Sequence, residues 1–202
     1  RMLGPEVRRC YEEGIGFISA VGVHADVTGT ARARTLAVAK AIGGLRQGAI
    51  EMTAMQEAVL DLAVEQALAP ALRRVSTSFV EVMLERGIPL EAILTELFLS
   101  GEVERTYRLV RTEGYAAQMA HHSPVSQYGQ LSREPRYGHL DVAATMRDIV
   151  DNIASGRFAD EWDAERDAGF PEFERLKSAG VGPEIVEFER DLRRQLGEGA
   201  VG

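Results

Sequence analysis

The sequence has very little cysteine, no long apolar run and no cluster of basic residues. Its single cysteine, Cys10, excludes an intrachain disulfide and is typical of a reducing compartment. No apolar run approaches the roughly 20 residues that a membrane-spanning helix needs. A net charge of −8 at pH 7 disfavours a nucleic-acid surface. These absences predict a soluble cytoplasmic protein that binds neither nucleic acid nor membrane.

The first fifty residues alternate between strand and helix signals. Residues 15–24 (IGFISAVGVH) are rich in β-branched and aromatic residues and predict a strand. Residues 27–44 predict a helix with Thr30 as its N-cap, and residues 48–52 predict a second strand. A strand, a helix and a strand in this order form a βαβ unit with parallel strands.

From about residue 54 the periodicity becomes helical. Interruptions at glycine and proline divide this part of the chain into predicted helices at 54–86, 90–113, 139–155, 157–168, 171–179 and 182–196. The stretch 123–138 is dense in Ser, Gly and Pro and predicts an ordered loop. The predicted fold is therefore mainly α, with an α/β piece at 1–50 followed by a helical domain at 51–202.

An acidic stripe runs along the first long helix. In MQEAVLDLAVEQALAP, residues 55–70, the carboxylates Glu57, Asp61 and Glu65 recur at every fourth position and so share one helix face. One interpretation is the solvated face of an amphipathic helix, paired with Arg73 or Arg74. The other is a site for a hard divalent cation such as Mg²⁺, which binds one or two carboxylates together with waters and substrate oxygens. The spacing alone leaves both open.

The adjacent pair His121–His122 is a second candidate cluster. Neighbouring residues on a helix point in different directions, so we do not expect the two rings to share a metal. A surface or loop role is the interpretation that this spacing favours.

Several segments, taken in order, resemble one enzyme family. The segments are VHADVTG followed by AKAIGG, then DLAVEQ, GIPLEAILTEL, HHSPVSQYG and SGRFADEWDAERDAG. They are similar to the VHQD.SG, AKAIGG, DLFGEQ, GY.PE.AY.E, serine-loop YG and GEFA.EW..E...G motifs of ketol-acid reductoisomerases. These enzymes act in branched-chain amino-acid biosynthesis, on the route to isoleucine and valine.

The resemblance implies a fold and an activity. The fold is the knotted all-helical C-terminal domain of the short form of the family, at 51–202, preceded by a βαβ remnant of a Rossmann-like dinucleotide-binding domain at 1–50. The activity is the Mg²⁺- and NADPH-dependent isomeroreduction of 2-acetohydroxy acids, such as acetolactate to 2,3-dihydroxyisovalerate. NADPH binding needs residues upstream, so we expect a fragment that lacks most of the cofactor domain. Interlocked helical domains imply a homodimer or a higher oligomer.

The resemblance also implies site residues. Asp61 and Glu65 match the family's ligands for two Mg²⁺ ions. Glu96 matches a catalytic metal ligand that is donated across the dimer, and Ser123 matches the catalytic serine that binds substrate. Glu57 aligns with a further acidic position beside the metals.

Four positions depart from the family pattern. Ser100 stands where the family has a second glutamate, and Glu102 is the nearest acidic replacement. Arg1 occupies the position of a site lysine, Val64 replaces the glycine of GEQ, and Pro70 replaces a cysteine. Two alternatives therefore stay open: a divergent paralogue with another reductase activity or a binding or assembly role, and a helical interaction domain without metal.

Overall fold

The protein is mainly helical in a computed structural model that describes residues 4–180 and 183–196. A small α/β segment comes first. Its elements are α1 (Gly4–Glu12), β1 (Ser19–Val21), α2 (Ala31–Ala41) and β2 (Ala49–Glu51). The two strands pair in parallel, with Ser19 opposite Ala49 and Val21 opposite Glu51. The predicted βαβ unit is confirmed, although each strand is limited to three paired residues.

The N-terminus of α2 is capped by a residue other than the predicted one. Thr30 occupies the N-cap position, but its side chain accepts no capping hydrogen bond. The Ala31 N–H instead donates to Asp26 Oδ1 at 3.1 Å. A carboxylate at this end also interacts favourably with the helix dipole. Arg32 and Glu51 form an exposed ion pair that joins α2 to β2.

Gly22 allows the chain to pass closely over the end of β2. A Cβ built on Gly22 would lie 2.1 Å from the Met52 carbonyl oxygen, closer than real Cβ contacts come. Met52 N donates to Val21 O at 3.0 Å, so neither backbone segment can move away without losing that hydrogen bond. Only glycine therefore fits here, because any other residue would place its Cβ against the Met52 carbonyl oxygen.

We expect Gly22→Ala to lower the free energy of unfolding by about 1–3 kcal/mol, the usual cost of overpacking. Gly129→Ala is the matched control, because no atom lies within 4 Å of the added Cβ. Gly129 is inside a helix, so alanine should stabilise it by about 0.5–1 kcal/mol. Urea denaturation measures the change in the free energy of unfolding, which should fall for Gly22→Ala and rise for Gly129→Ala. The same change in both variants would contradict the prediction.

A long helical segment follows at 54–85. It consists of α3 (Ala54–Ala63), a first π segment (Val64–Leu68) and α4 (Ala69–Glu85). Thr53 and Gln56 start α3 with a capping box, in which Gln56 N donates to Thr53 Oγ1 and Thr53 N donates to Gln56 Oε1. Pro70 has no N–H and cannot donate a helical backbone hydrogen bond. The π segment therefore lies next to a position where the helical hydrogen bonding is already interrupted.

The next segment is more broken than the predicted helix at 90–113. The structure has α5 (Leu90–Leu94), a second π segment (Thr95–Leu99), α6 (Glu102–Glu113) and α7 (Tyr115–Met119). Gly101, with φ of +74°, separates the second π segment from α6. The prediction of one continuous helix is wrong at this residue, because a left-handed residue cannot continue a right-handed helix.

The stretch predicted as a loop at 123–138 is helical instead. It forms α8 (Pro124–Arg133) and a 3₁₀ turn (Glu134–Tyr137). Ser123 is the N-cap, and its Oγ accepts a hydrogen bond from Ser126 N at 3.3 Å. Pro124 suits the first helical turn, since an N–H there would have no partner within the helix. The Ser-Pro pair therefore begins a helix, which is why the loop prediction is wrong.

The C-terminal helices agree with the predicted ones. They are α9 (Val142–Ala154), α10 (Arg157–Asp167), α11 (Pro171–Gly180) and α12 (Pro183–Leu196). The rings of Trp162 and Phe170, 5.4 Å apart, pack at the turn between α10 and α11. Among the described helices, none is long and apolar enough to cross a membrane.

The chain divides into two compact units, Arg1–Pro70 with Ala144–Ala159 and Ala71–Ala143 with Asp160–Gly202. Each has a small core. The buried apolar residues among those described are Cys10, Ala39, Ala67 and Ile153 in the first unit, and Ile93 and Leu192 in the second. Many large apolar side chains of the described part are exposed instead, as on surfaces that contact other protein.

Candidate functional site

The acidic stripe lines a groove in the first unit. The groove has a volume of about 720 Å³ and lies between the α3 face and the small sheet. On the helix side it is lined by Glu57, Leu60, Asp61, Val64 and Glu65. The opposite side consists of Val7, Phe17, Ile18, Ser19, Ala20, Ile50 and Met52.

The groove combines three carboxylates with an apolar wall. Glu57, Asp61 and Glu65 therefore concentrate negative charge beside Leu60 and Val64. Such a surface suits a divalent cation and a small ligand that has an oxygen-rich end and a short apolar end. The stripe was predicted from its spacing, but its facing wall from β1 and β2 was not, because sequence periodicity contains no information on which elements meet.

Both predicted metal-ligating glutamates lie in π segments. Glu65 is the second residue of the first π segment, and Glu96 is the second residue of the second. The wider turn is closed by hydrogen bonds from Ala69 N to Val64 O and from Ser100 N to Thr95 O. Single π turns within helices are rare and are frequent at functional sites. This shared geometry distinguishes the two glutamates from the other acidic residues of the described ranges.

The donor set of the groove fits Mg²⁺. Carboxylate oxygens are its preferred protein ligands, and it keeps several waters, so Asp61 and Glu65 can provide its protein ligands on this helix. In residues 4–180 and 183–196, no three His, Cys, Asp or Glu side chains converge closely enough to hold a metal by themselves. The remaining coordination positions would go to water, to substrate oxygens or to another chain.

Ser100 has a structural role of its own. Its Oγ donates to the Glu96 carbonyl at 3.3 Å and accepts from Glu102 N at the same distance. The hydroxyl therefore joins the second π segment to the start of α6. Glu102 is the first residue of α6, beyond the break at Gly101, and so belongs to a different helix from Glu96.

A hydrogen-bond network precedes Ser123 in the second unit. Gln118 Nε2 donates to His122 Nε2 at 2.9 Å, and Gln127 Nε2 donates to the His122 carbonyl oxygen at 2.7 Å. His121 Nε2 pairs with Glu113 Oε2 at 2.7 Å, so the two adjacent rings have different partners. The sequence analysis missed the two glutamines. Their spacing from His122, four residues before and five after, was the available signal.

The structure brings together Glu57, Asp61 and Glu65 in one groove of the first unit. Glu96 and Ser123 belong to the second unit, and both are exposed. Arg1, at the position of the family's site lysine, lies outside the described residues.

Comparison with protein families decides the relationship. Residues 55–198 match the family model described as "Ketol-acid reductoisomerase, C-terminal domain". The chain belongs to the ketol-acid reductoisomerase family. Residues 1–48 match the model described as "Acetohydroxy acid isomeroreductase, NADPH-binding domain", so the α/β segment is related to the end of the family's cofactor domain.

Curated reductoisomerases resemble the chain over nearly its whole length. It is 36% identical over 198 residues to the "Putative ketol-acid reductoisomerase 3" of Saccharolobus solfataricus, covering 97% of this chain and 59% of the relative. It is 36% identical over 192 residues to the "Ketol-acid reductoisomerase (NADP(+))" of Saccharopolyspora erythraea, covering 94% and 57%. The chain thus spans less than three fifths of the length of these relatives.

A solved reductoisomerase has the same fold. The "NADH-preferring ketol-acid reductoisomerase from an uncultured archean" superimposes with a TM-score of 0.83 at 26% identity, covering 98% of this chain and 59% of that one. The predicted fold class is confirmed: a mainly helical chain of the ketol-acid reductoisomerase type with a small parallel sheet at its N-terminal end.

Proposed function

We propose that the protein containing this chain catalyses the isomeroreduction of 2-acetohydroxy acids, such as acetolactate to 2,3-dihydroxyisovalerate, in branched-chain amino-acid biosynthesis in the cytoplasm. The observation that carries the proposal is the acidic groove. In a chain of this family, Glu57, Asp61 and Glu65 line a groove that also has an apolar wall. That combination suits a substrate with adjacent carbonyl, hydroxyl and carboxylate oxygens and a short alkyl group.

Asp61 and Glu65 would hold the Mg²⁺ ions of the reaction, with Glu57 beside them. Bound Mg²⁺ supplies Lewis-acid polarisation of the substrate oxygens while an alkyl group migrates. The apolar side chains of Leu60 and Val64 would contact the alkyl groups and keep water away from them. Ser123 accepts the Ser126 N–H through a lone pair, so its own O–H proton can be donated to a substrate oxygen.

A second copy of the chain would complete the site by contributing Glu96. Support comes from α4, where Leu72, Val75, Phe79 and Val82 are all exposed. We call these four residues the α4 stripe. Their spacing of three, four and three residues is that of a helix seam that packs against another helix. A homodimer with interlocked helices covers this stripe, which a single chain leaves in water.

NADPH is the proposed hydride donor. The match of residues 1–48 to the family's NADPH-binding domain and the NADP(+) names of the Saccharopolyspora erythraea and Methanocaldococcus jannaschii relatives support this cofactor. The chain's contribution to the cofactor domain is the βαβ unit. Phosphate and nicotinamide contacts would come from residues outside this sequence.

The decisive experiment is acetolactate-dependent oxidation of NADPH by the full-length protein in the presence of Mg²⁺. We expect absorbance at the nicotinamide wavelength to fall only when acetolactate, Mg²⁺ and NADPH are all present. Oxidation that needs no acetolactate, or none under any of these conditions, would contradict the proposed reaction.

One observation favours a second candidate function. Ser100 provides no carboxylate where the family has a glutamate, and its hydroxyl is used in joining two helical segments. A divergent paralogue that reduces a 2-keto acid without alkyl migration would need fewer metal ligands. Turnover of 3-hydroxy-2-ketoisovalerate, the already rearranged substrate, without turnover of acetolactate identifies this alternative.

A further inference from the structure

The segment before Ser123 is held by side chains that the proposed reaction does not use. Gln118 is the one buried polar side chain among the described residues, with 5% of its surface exposed. A buried amide without partners is costly, and this one is satisfied by the His122 ring. Its amide nitrogen can only donate, so His122 Nε2 accepts and the ring proton lies on Nδ1.

The peptide that leads into Ser123 is fixed from its other side. Gln127, in the first turn of α8 after Ser123, donates from Nε2 to the His122 carbonyl oxygen at 2.7 Å. Gln127 N also donates to the Ser123 carbonyl at 2.9 Å. The ring of His122 and the peptide bond between His122 and Ser123 are therefore each tied to a glutamine.

We propose that Gln118 and Gln127 are positioning residues that set the orientation of the Ser123 hydroxyl toward the substrate. This inference rests on the proposed function, which assigns substrate binding to Ser123. Neither glutamine touches the substrate; each acts through His122. Ser123 is exposed at a helix end, where the Ser126 N–H contacts its hydroxyl, and the two glutamine hydrogen bonds fix the residue that precedes it.

The test compares Gln118→Leu, Gln118→Glu and Gln127→Leu in the full-length protein. Losing a single hydrogen bond of this kind is worth about three- to tenfold in affinity. We expect both leucine variants to raise KM for acetolactate by about that factor with kcat little changed. Gln130→Leu is the matched control, since Gln130 is exposed on α8 and bonds only the Ser126 hydroxyl.

Comparing the KM values of Gln118→Leu and Gln118→Glu distinguishes a positioning role of Gln118 from a packing role. A carboxylate can accept an N–H from the His122 imidazole, so Gln118→Glu keeps the link and should keep KM close to the wild-type value. A merely structural role predicts the reverse order, because leucine fits a buried position better than a charge does. A larger KM for Gln118→Glu than for Gln118→Leu would overturn the inference.

A spectroscopic measurement distinguishes failure of the inference from failure of the proposed function. In protein labelled with ¹⁵N-histidine, the Nε2 signal of His122 should show an unprotonated, hydrogen-bonded nitrogen. Gln118→Leu should move it toward the average of the two tautomers, and Gln130→Leu should not. If the wild-type protein does not reduce acetolactate, the proposed function fails; an unmoved His122 signal overturns the positioning link by itself.

Discussion

We expect Mg²⁺ to raise the melting temperature of the intact protein, and Asp61→Asn to remove most of that rise. Ligand binding at 100 times its Kd stabilises the native state by about 2.7 kcal/mol, which is about 5–10 °C for a domain of this size. The effect is expected because Asp61 lines the groove together with Glu57 and Glu65, which gives a divalent cation several carboxylate oxygens as ligands. Asparagine keeps the shape of aspartate but removes the charge that Mg²⁺ needs.

Asp148→Asn is the control for this prediction. Asp148 is an exposed aspartate of α9 in the same unit and does not line the groove. We expect its Mg²⁺-dependent rise to equal that of the wild-type protein in a thermal melt followed by circular dichroism. A rise that Asp61→Asn leaves intact refutes the metal site and returns the stripe to the role of a solvated helix face.

We expect Val75→Asp to disrupt the proposed dimer and Val38→Asp to leave it intact. Both valines are 63% exposed in the single chain, but Val75 belongs to the α4 stripe and Val38 to α2 of the α/β segment. A carboxylate buried in an apolar helix seam is unpaired, so dimer affinity should fall on the order of 100-fold or more. Because the two valines are equally exposed in the single chain, a difference in dimer affinity between the variants would show that only Val75 lies in the interface.

Light scattering during size-exclusion chromatography at micromolar concentration measures this difference. The wild-type protein and Val38→Asp should elute as dimers or larger assemblies, with a melting temperature that rises with protein concentration. Val75→Asp should elute at lower mass or lose that concentration dependence. A wild-type monomer that unfolds cooperatively would contradict the interlocked arrangement.

The βαβ unit could be predicted from sequence because its signals are local. β-branched runs, helical periodicity and glycines identify two strands and the crossover, and parallel pairing follows from that order. The cap of α2 was less predictable. Thr30 has the residue type and position of an N-cap, yet Asp26, which lies in the preceding loop, reaches the Ala31 N–H.

The π segments and α8 show two further limits of prediction. Each π segment has only five residues, too few for apolar periodicity to distinguish it from the α-helix around it, so the segments at 64–68 and 95–99 were not predicted. The composition of 123–138 suggested a loop, although the order of its first two residues, Ser123 and Pro124, is that of a helix start. Residue order decides such cases, and composition does not.

The site was predicted residue by residue only where a motif was available. DLAVEQ selected Asp61 and Glu65, and both line the groove, although their role as metal ligands stays a prediction. Nothing local indicated the opposite wall from Phe17 to Ala20, because contacts between distant segments depend on the whole fold. The roles of Glu96 and Ser123 remain predictions that depend on the resemblance to the family.

The carboxylate of Asp26 also determines where a nucleotide can bind. In dinucleotide folds, a pyrophosphate is held by free N–H groups at a helix start that follows a parallel strand. At the start of α2, the Ala31 N–H is already donated to Asp26, whose negative charge repels a phosphate. This crossover therefore offers strands and a helix but an unfavourable place for an anion, and we expect the phosphates of the proposed NADPH cofactor to be bound at another turn.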